Sequence, residues 1–119
     1  MIKFTKSFRH ATDGIAHAVK TERNFRIELA LAALSIVFAV FLPLTWAERL
    51  IVFLTIGIVL SLELFNTAFE HLMDMLSPQF HEKVKIIKDI AAGAVLVSSV
   101  SAAIVGIWIF LPRLIALFS

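Results

Sequence analysis

Four polar side chains share one face of an otherwise apolar stretch, residues 62–75. Glu63, Asn66, Glu70 and Asp74 follow one another at intervals of three, four and four residues. On an α-helix, which turns by about 100° per residue, they fall within an arc of about 80°. A charge near the centre of a bilayer costs at least about 2.5–3.5 kcal/mol on insertion scales, so these residues indicate a functional site. The alternative is that the stretch is the solvated end of a membrane helix.

The composition is that of a small membrane protein. The chain has 119 residues, of which 60% are hydrophobic and 17% charged, whereas a typical globular protein has about 25% charged residues. The absence of cysteine excludes disulfides and thiolate metal sites. The first part of the chain is polar and basic and lacks the apolar segment of a secretory signal peptide.

Apolar segments at 27–46, 50–76 and 90–111 are each long enough to cross a hydrocarbon layer of about 30 Å. Apolar residues at helical spacing among many cations predict an amphipathic helix over residues 1–26, lying in the membrane interface. Residues 77–89 are polar and are predicted to form a loop. The sequence therefore predicts an all-α membrane protein with one domain over 1–119, consisting of a surface helix and three transmembrane helices.

The basic residues predict how this domain is oriented. Nine of the eleven Lys and Arg residues lie in the N-terminal segment or in 77–89, and the other two are Arg49 and Arg113. The positive-inside rule places the N-terminus and the second loop in the cytoplasm.

The third apolar segment is rich in Ala, Ser and Gly, which let membrane helices approach closely.

Acidic and basic residues converge on this cytoplasmic side. The acids are Glu22, Glu28, Glu63, Glu70 and Asp74, and the cations are Arg23, Arg26, Lys83, Lys85 and Lys88. Carboxylates suit Mg²⁺ together with phosphate oxygens, lysines suit phosphate, and a further carboxylate suits a general base. These are the groups that phosphoryl transfer requires. The four glycines form no Walker or kinase glycine-rich loop. A membrane ion or proton pathway and a scaffold without catalysis stay open as alternatives.

Three motifs resemble the prokaryotic diacylglycerol kinase and undecaprenol kinase family. They are Glu-Arg-Asn-Phe-Arg-Ile at 22–27, Glu-Leu-Phe-Asn-Thr-Ala-Phe-Glu-His-Leu-Met-Asp at 63–74, and Lys-Asp at 88–89 with Ala-Ala-Gly-Ala shortly after. The resemblance implies a domain-swapped homotrimer in the bacterial inner membrane, with active sites shared between chains. It also implies transfer of the γ-phosphate of Mg-ATP to a lipid hydroxyl, with no nucleic-acid partner.

The resemblance also implies roles for individual residues. Glu63 matches the catalytic base and Asn66 the amide that orders the site, while Glu22 and Glu70 match the Mg²⁺ ligands. Lys88 and Asp89 match the nucleotide-contacting pair, and the ATP site also includes Glu22 and Glu70. His81 and Glu82 match a loop near the nucleotide. Glu28 and Asp74 match further acidic positions of the family, and His10 and Gly14 match N-terminal nucleotide contacts. The Arg-Asn-Phe-Arg-Ile sequence after Glu22 favours undecaprenol over diacylglycerol as the lipid substrate.

Overall fold

The computed structural model describes residues 2–77, 79 and 81–119, and these form four α-helices. The helices are α1, Ile2–Thr21; α2, Arg23–Phe41; α3, Trp46–Leu76; and α4, Glu82–Phe118. The all-α class is therefore confirmed, and so are three helices that are long and apolar enough to cross a membrane, namely α2, α3 and α4. The interfacial location of α1 stays a prediction.

Helices α3 and α4 extend beyond a hydrocarbon layer. They have 31 and 37 residues, which at 1.5 Å per residue gives lengths of about 46 and 56 Å, against about 30 Å of hydrocarbon. Many large apolar side chains of the three long helices are exposed, as expected for surfaces that face lipid. The surplus length lets both helices carry polar groups out of the bilayer.

The prediction of a polar loop over 77–89 is wrong for its second half, because α4 begins at Glu82. His81 caps this helix, since its Nδ1 atom accepts a hydrogen bond from the backbone N–H of Lys83 at 3.1 Å. The side chains of Lys85 and Asp89, one turn apart, form an ion pair at 2.6 Å. The polar composition of 77–89 indicated correctly that this segment is exposed. It could not distinguish a loop from an exposed helix, because both are polar. Residues 78 and 80 lie outside the described part.

The predicted helix over 1–26 is interrupted at Glu22, whose backbone is extended (φ −110°, ψ 110°). The Arg26 guanidinium donates hydrogen bonds to the backbone carbonyls of Val19 and Lys20, at 2.9 and 3.3 Å. These carbonyls lie in the last turn of α1, where they have no partner within the helix. Arg26 therefore stabilises the end of α1 and the change of direction into α2. Residue 1 lies outside the described part.

Polar contacts also fix the connection between α2 and α3. Thr45 and Glu48 form a capping box at the start of α3. The Arg49 guanidinium donates to the backbone carbonyls of Ala39 and Leu42, at 2.8 and 3.3 Å. The Ala39 carbonyl is an orphan acceptor in the last turn of α2, whereas that of Leu42 also accepts from the backbone N–H of Leu44. Arg113 of α4 donates to the Glu48 carboxylate at 2.8 Å. The apolar core beneath them consists of Ala39, Leu42, Leu44, Val52, Ile109 and Phe110.

We expect Thr45→Ala to lower the free energy of unfolding by about 1 kcal/mol, because α3 loses the side-chain acceptor of its cap. The measurement is SDS-induced unfolding in mixed micelles. Thr55→Ala is the control, since the Thr55 hydroxyl only donates to the Ile51 carbonyl within α3. Equal losses in the two variants would contradict the assignment of the cap.

Candidate active site

The polar face of α3 points into the protein rather than toward lipid. Glu63 is 3% exposed and Asn66 is 9% exposed, and both rank among the few buried polar residues of the described chain. The Asn66 amide donates a hydrogen bond to the Glu70 carboxylate at 3.4 Å, one turn further along the helix. The predicted row of polar groups on α3 is thus packed against protein over its first two turns.

Carboxylates from α2, from α3 and from the junction of α1 and α2 act on Glu63. Those of Glu28, Glu70 and Glu22 are close enough to Glu63 to interact with it electrostatically. Glu28 belongs to α2, and its carboxylate accepts a hydrogen bond from the Ser99 hydroxyl of α4 at 3.5 Å. Because like charges at close range repel, this arrangement favours a cation among the carboxylates.

The extended residue between α1 and α2 places Glu22 beside α3. Its carboxylate lies 3.8 Å from the His71 imidazole, and His71 follows Glu70 directly in the chain. The rings of His17 and His71 lie 5.6 Å apart at a tilted angle. The two residues that the resemblance implies as metal ligands, Glu22 and Glu70, therefore both lie within electrostatic range of Glu63.

Within residues 2–77, 79 and 81–119, no group of three or more His, Asp and Glu side chains has the geometry of a metal site. A pair of carboxylates is nevertheless a suitable donor set for Mg²⁺, which typically takes one or two protein carboxylates and completes its coordination with water and phosphate oxygens. The residues present therefore fit magnesium bound to a triphosphate better than a metal site formed by protein alone.

Residues predicted to contact the nucleotide lie at the turn between α3 and α4. The Lys88 ammonium pairs with Asp74 at 2.5 Å, and Asp89 pairs with Lys85 of the same helix. With His81 at the start of α4, these residues line a pocket of about 300 Å³. Glu82 lies next to this pocket, in the exposed first turn of α4.

His10 and Gly14 lie elsewhere, in a groove of about 500 Å³ between α1 and α3. The structure thus separates them from the pocket at the α3–α4 turn, although His71, which also lines the groove, contacts Glu22. A Cβ atom at Gly14 would meet no atom within 4 Å. Close packing among the described residues of this chain therefore does not require a glycine at this position.

Sequence reasoning missed Thr67 and Ser99. Thr67 is 6% exposed, and its hydroxyl has no hydrogen-bond partner among the described residues; the same holds for the side-chain oxygen of Asn66. Thr67 lies four residues after Glu63 and therefore on the same helix face. This spacing was the sequence signal that could have identified it. Ser99 is one of three serines on α4, and its contact with Glu28 is what relates it to the site.

Comparisons with known proteins agree with the motifs. The family model described as prokaryotic diacylglycerol kinase matches residues 9–110. The chain is 45% identical over 112 residues to undecaprenol kinase of Bacillus subtilis, covering 94% of this chain and 91% of that protein. It is 43% identical to diacylglycerol kinase of Synechocystis sp. over 93% of this chain but 64% of that longer protein. Diacylglycerol kinase of Haemophilus influenzae is 31% identical over 77% of this chain and 78% of its own.

We expect Thr67→Val to raise the free energy of unfolding by about 1 kcal/mol in the absence of substrates, because a buried hydroxyl without a partner is removed at nearly constant shape. The same unfolding assay measures it. In the control Thr55→Val, the lost hydroxyl has a hydrogen-bond partner, so no gain is expected. A loss of stability in Thr67→Val would show that the hydroxyl has a stabilising partner.

Proposed function

This chain belongs to the prokaryotic diacylglycerol kinase family and is a membrane lipid kinase, and we propose that undecaprenol is the lipid that it phosphorylates. The proposal is supported by the 45% identity to an undecaprenol kinase over nearly the full length of both chains. Diacylglycerol is the other candidate acceptor, because diacylglycerol kinases match as well. Both lipids present a hydroxyl on a long apolar body.

Glu63 is the proposed general base, and its burial on α3 is the observation that carries the proposed site. A carboxylate at this position accepts the proton of the lipid hydroxyl while the hydroxyl oxygen attacks the γ-phosphorus of ATP. The bond from that phosphorus to the bridging oxygen then breaks, and ADP leaves. Asn66 holds the Glu70 carboxylate through its amide hydrogen bond and thereby orders the neighbouring side chain.

Glu22 and Glu70 are the proposed ligands of Mg²⁺, supported by their common proximity to Glu63. A bound magnesium ion neutralises negative charge on the phosphate oxygens. The two carboxylates orient the triphosphate toward the lipid hydroxyl, and Glu28 adds a further negative charge on the side of α2. The site then needs no glycine-rich phosphate loop.

Lys88 and Asp89 are the proposed nucleotide contacts on α4, together with His81 and Glu82 at its start. A lysine ammonium is a compact charge that binds phosphate without a fixed orientation. The pocket at the α3–α4 turn supports this role, because Lys88 and Asp89 both line it. His10 and Gly14 are proposed as more distant members of the nucleotide site, and Asp74 as an acidic neighbour of Lys88.

The chain is proposed to form one membrane domain over residues 1–119, with its N-terminus and active site on the cytoplasmic side of the bacterial membrane. The excess of Lys and Arg at that end supports the orientation. A domain-swapped homotrimer is proposed as the assembly. The apolar groove between α3 and α4, of about 710 Å³ and lined in part by Gly93, Ala94 and Ser101, supports close approach of another membrane helix.

We expect Glu63→Gln to lower transfer of radiolabel from ATP to lipid by about 100-fold or more, since general base catalysis typically contributes that much. The KM for ATP should change little, because the base acts on the lipid. Asp13→Asn, an exposed acid on α1, is the matched control. Full activity in Glu63→Gln would exclude Glu63 as the base.

The acceptor is tested by supplying undecaprenol and a diacylglycerol in parallel, at equal mole fractions in mixed micelles with Mg-ATP. We expect a higher kcat/KM for undecaprenol. A preference for diacylglycerol would reverse the proposed substrate while leaving the proposed catalytic residues in place. Transfer to neither lipid would contradict the proposed function.

Glu22→Gln and Glu70→Gln should each raise the Mg²⁺ concentration at half-maximal activity, by about ten- to hundredfold, as changes around metal sites often do. The measurement is a magnesium titration at constant ATP. Glu28→Gln removes a charge from the same cluster without removing a proposed ligand, so its midpoint should stay near that of the wild type. A common shift in all three variants would indicate a general effect of charge.

A further inference from the structure

One ion pair joins α3 to α4 beside the pocket at their turn. The Lys88 ammonium donates to the Asp74 carboxylate, 14 residues earlier in the chain. The Lys88 side chain is 35% exposed and that of Asp74 is 67% exposed. Asp89, the neighbour of Lys88, takes its partner Lys85 from within α4 instead. The two residues of the Lys-Asp motif are thus held by separate ion pairs, and only that of Lys88 crosses between helices.

We propose that Asp74 is a positioning residue that holds the Lys88 ammonium ready for the phosphates of ATP. The proposal rests on the proposed function, in which Lys88 contacts the nucleotide. A lysine side chain is a flexible four-carbon stem, and anchoring it lowers the entropy that phosphate binding must overcome. The ammonium has three donors. Asp74 takes one, and the other two stay free for phosphate oxygens.

The location of Asp74 fits this role. Asp74 lies one helical turn after Glu70 on the polar face of α3. The Lys88 ammonium that it holds is therefore placed one turn beyond Glu70, the proposed metal ligand, toward the end of α3. Both partners line the pocket of about 300 Å³ that also contains Asp89 and His81. In this role Asp74 acts through Lys88, with which it is paired, and needs no contact with the reacting groups.

The same chain provides a comparison for a purely structural role. Arg113 of α4 pairs with Glu48 of α3 at 2.8 Å, at the opposite end of the two helices. This second pair is less exposed, with 29% and 20% of the two side chains accessible. If an ion pair only fastened α3 to α4, loss of either pair would have similar consequences. If Asp74 positions Lys88, only its own loss alters nucleotide binding.

The test is steady-state kinetics with Mg-ATP varied at saturating lipid. For Asp74→Asn we expect a KM for ATP about three- to tenfold higher with kcat within about twofold, the range of coupling between contacting charged residues. Asp74→Glu should keep most of the wild-type affinity for ATP, because it retains a carboxylate that can pair with Lys88. Arg113→Gln, the matched control, should leave the KM for ATP unchanged. A similar rise in Arg113→Gln would overturn the proposal.

A double-mutant cycle isolates the coupling. In a Lys88→Met background, Asp74→Asn should have no further effect on the KM for ATP. The same rise in both backgrounds, or a lower KM in Asp74→Asn, would overturn the proposal; a lower KM would mean that Asp74 competes with phosphate for the lysine. Equilibrium binding of a fluorescent ATP analogue to the same variants gives a readout that does not require transfer. Absence of transfer in the wild type would instead refute the proposed function.

Discussion

A carboxylate on a membrane helix has to find its partners within the protein, because the hydrocarbon around it offers no hydrogen bonds and a low dielectric constant. Glu63 is withdrawn from that hydrocarbon by its burial against protein, where it is 3% exposed. Glu22 reaches it from the junction of α1 and α2, Glu28 from α2, and Glu70 from the next turns of α3. The buried face of α3 is therefore the point around which the other helices are arranged.

The energetics of this arrangement connect fold and chemistry. Carboxylates that lie together repel one another, and among the described residues the charges that act on Glu63 are those of other carboxylates. In the proposed function, a magnesium ion held by Glu22 and Glu70 would supply positive charge among these carboxylates. The buried Asn66 oxygen and Thr67 hydroxyl, neither of which has a partner among the described residues, lie on the same part of α3.

The packing of α3 against α4 determines how the residues of the site align along the two helices. Ion pairs connect the two helices near both ends, Asp74 with Lys88 at the turn and Glu48 with Arg113 at the other end. Between them the contact is largely apolar, and apolar surfaces in lipid specify register weakly. Polar pairs at both ends therefore define how the polar face of α3 aligns with α4, and with it the position of Glu70 relative to the pocket at the α3–α4 turn.

The amino-acid sequence by itself determined the membrane class, the three long helices, the polar face of α3 and the family, because helical periodicity and motif spacing are local properties. Only the tertiary structure decided that Glu22 lies in an extended break beside α3, since that break depends on Arg26 reaching back to two carbonyls of α1. It also decided which residues pair, Lys88 with Asp74 rather than with Asp89, because side chains distant in sequence meet only through packing.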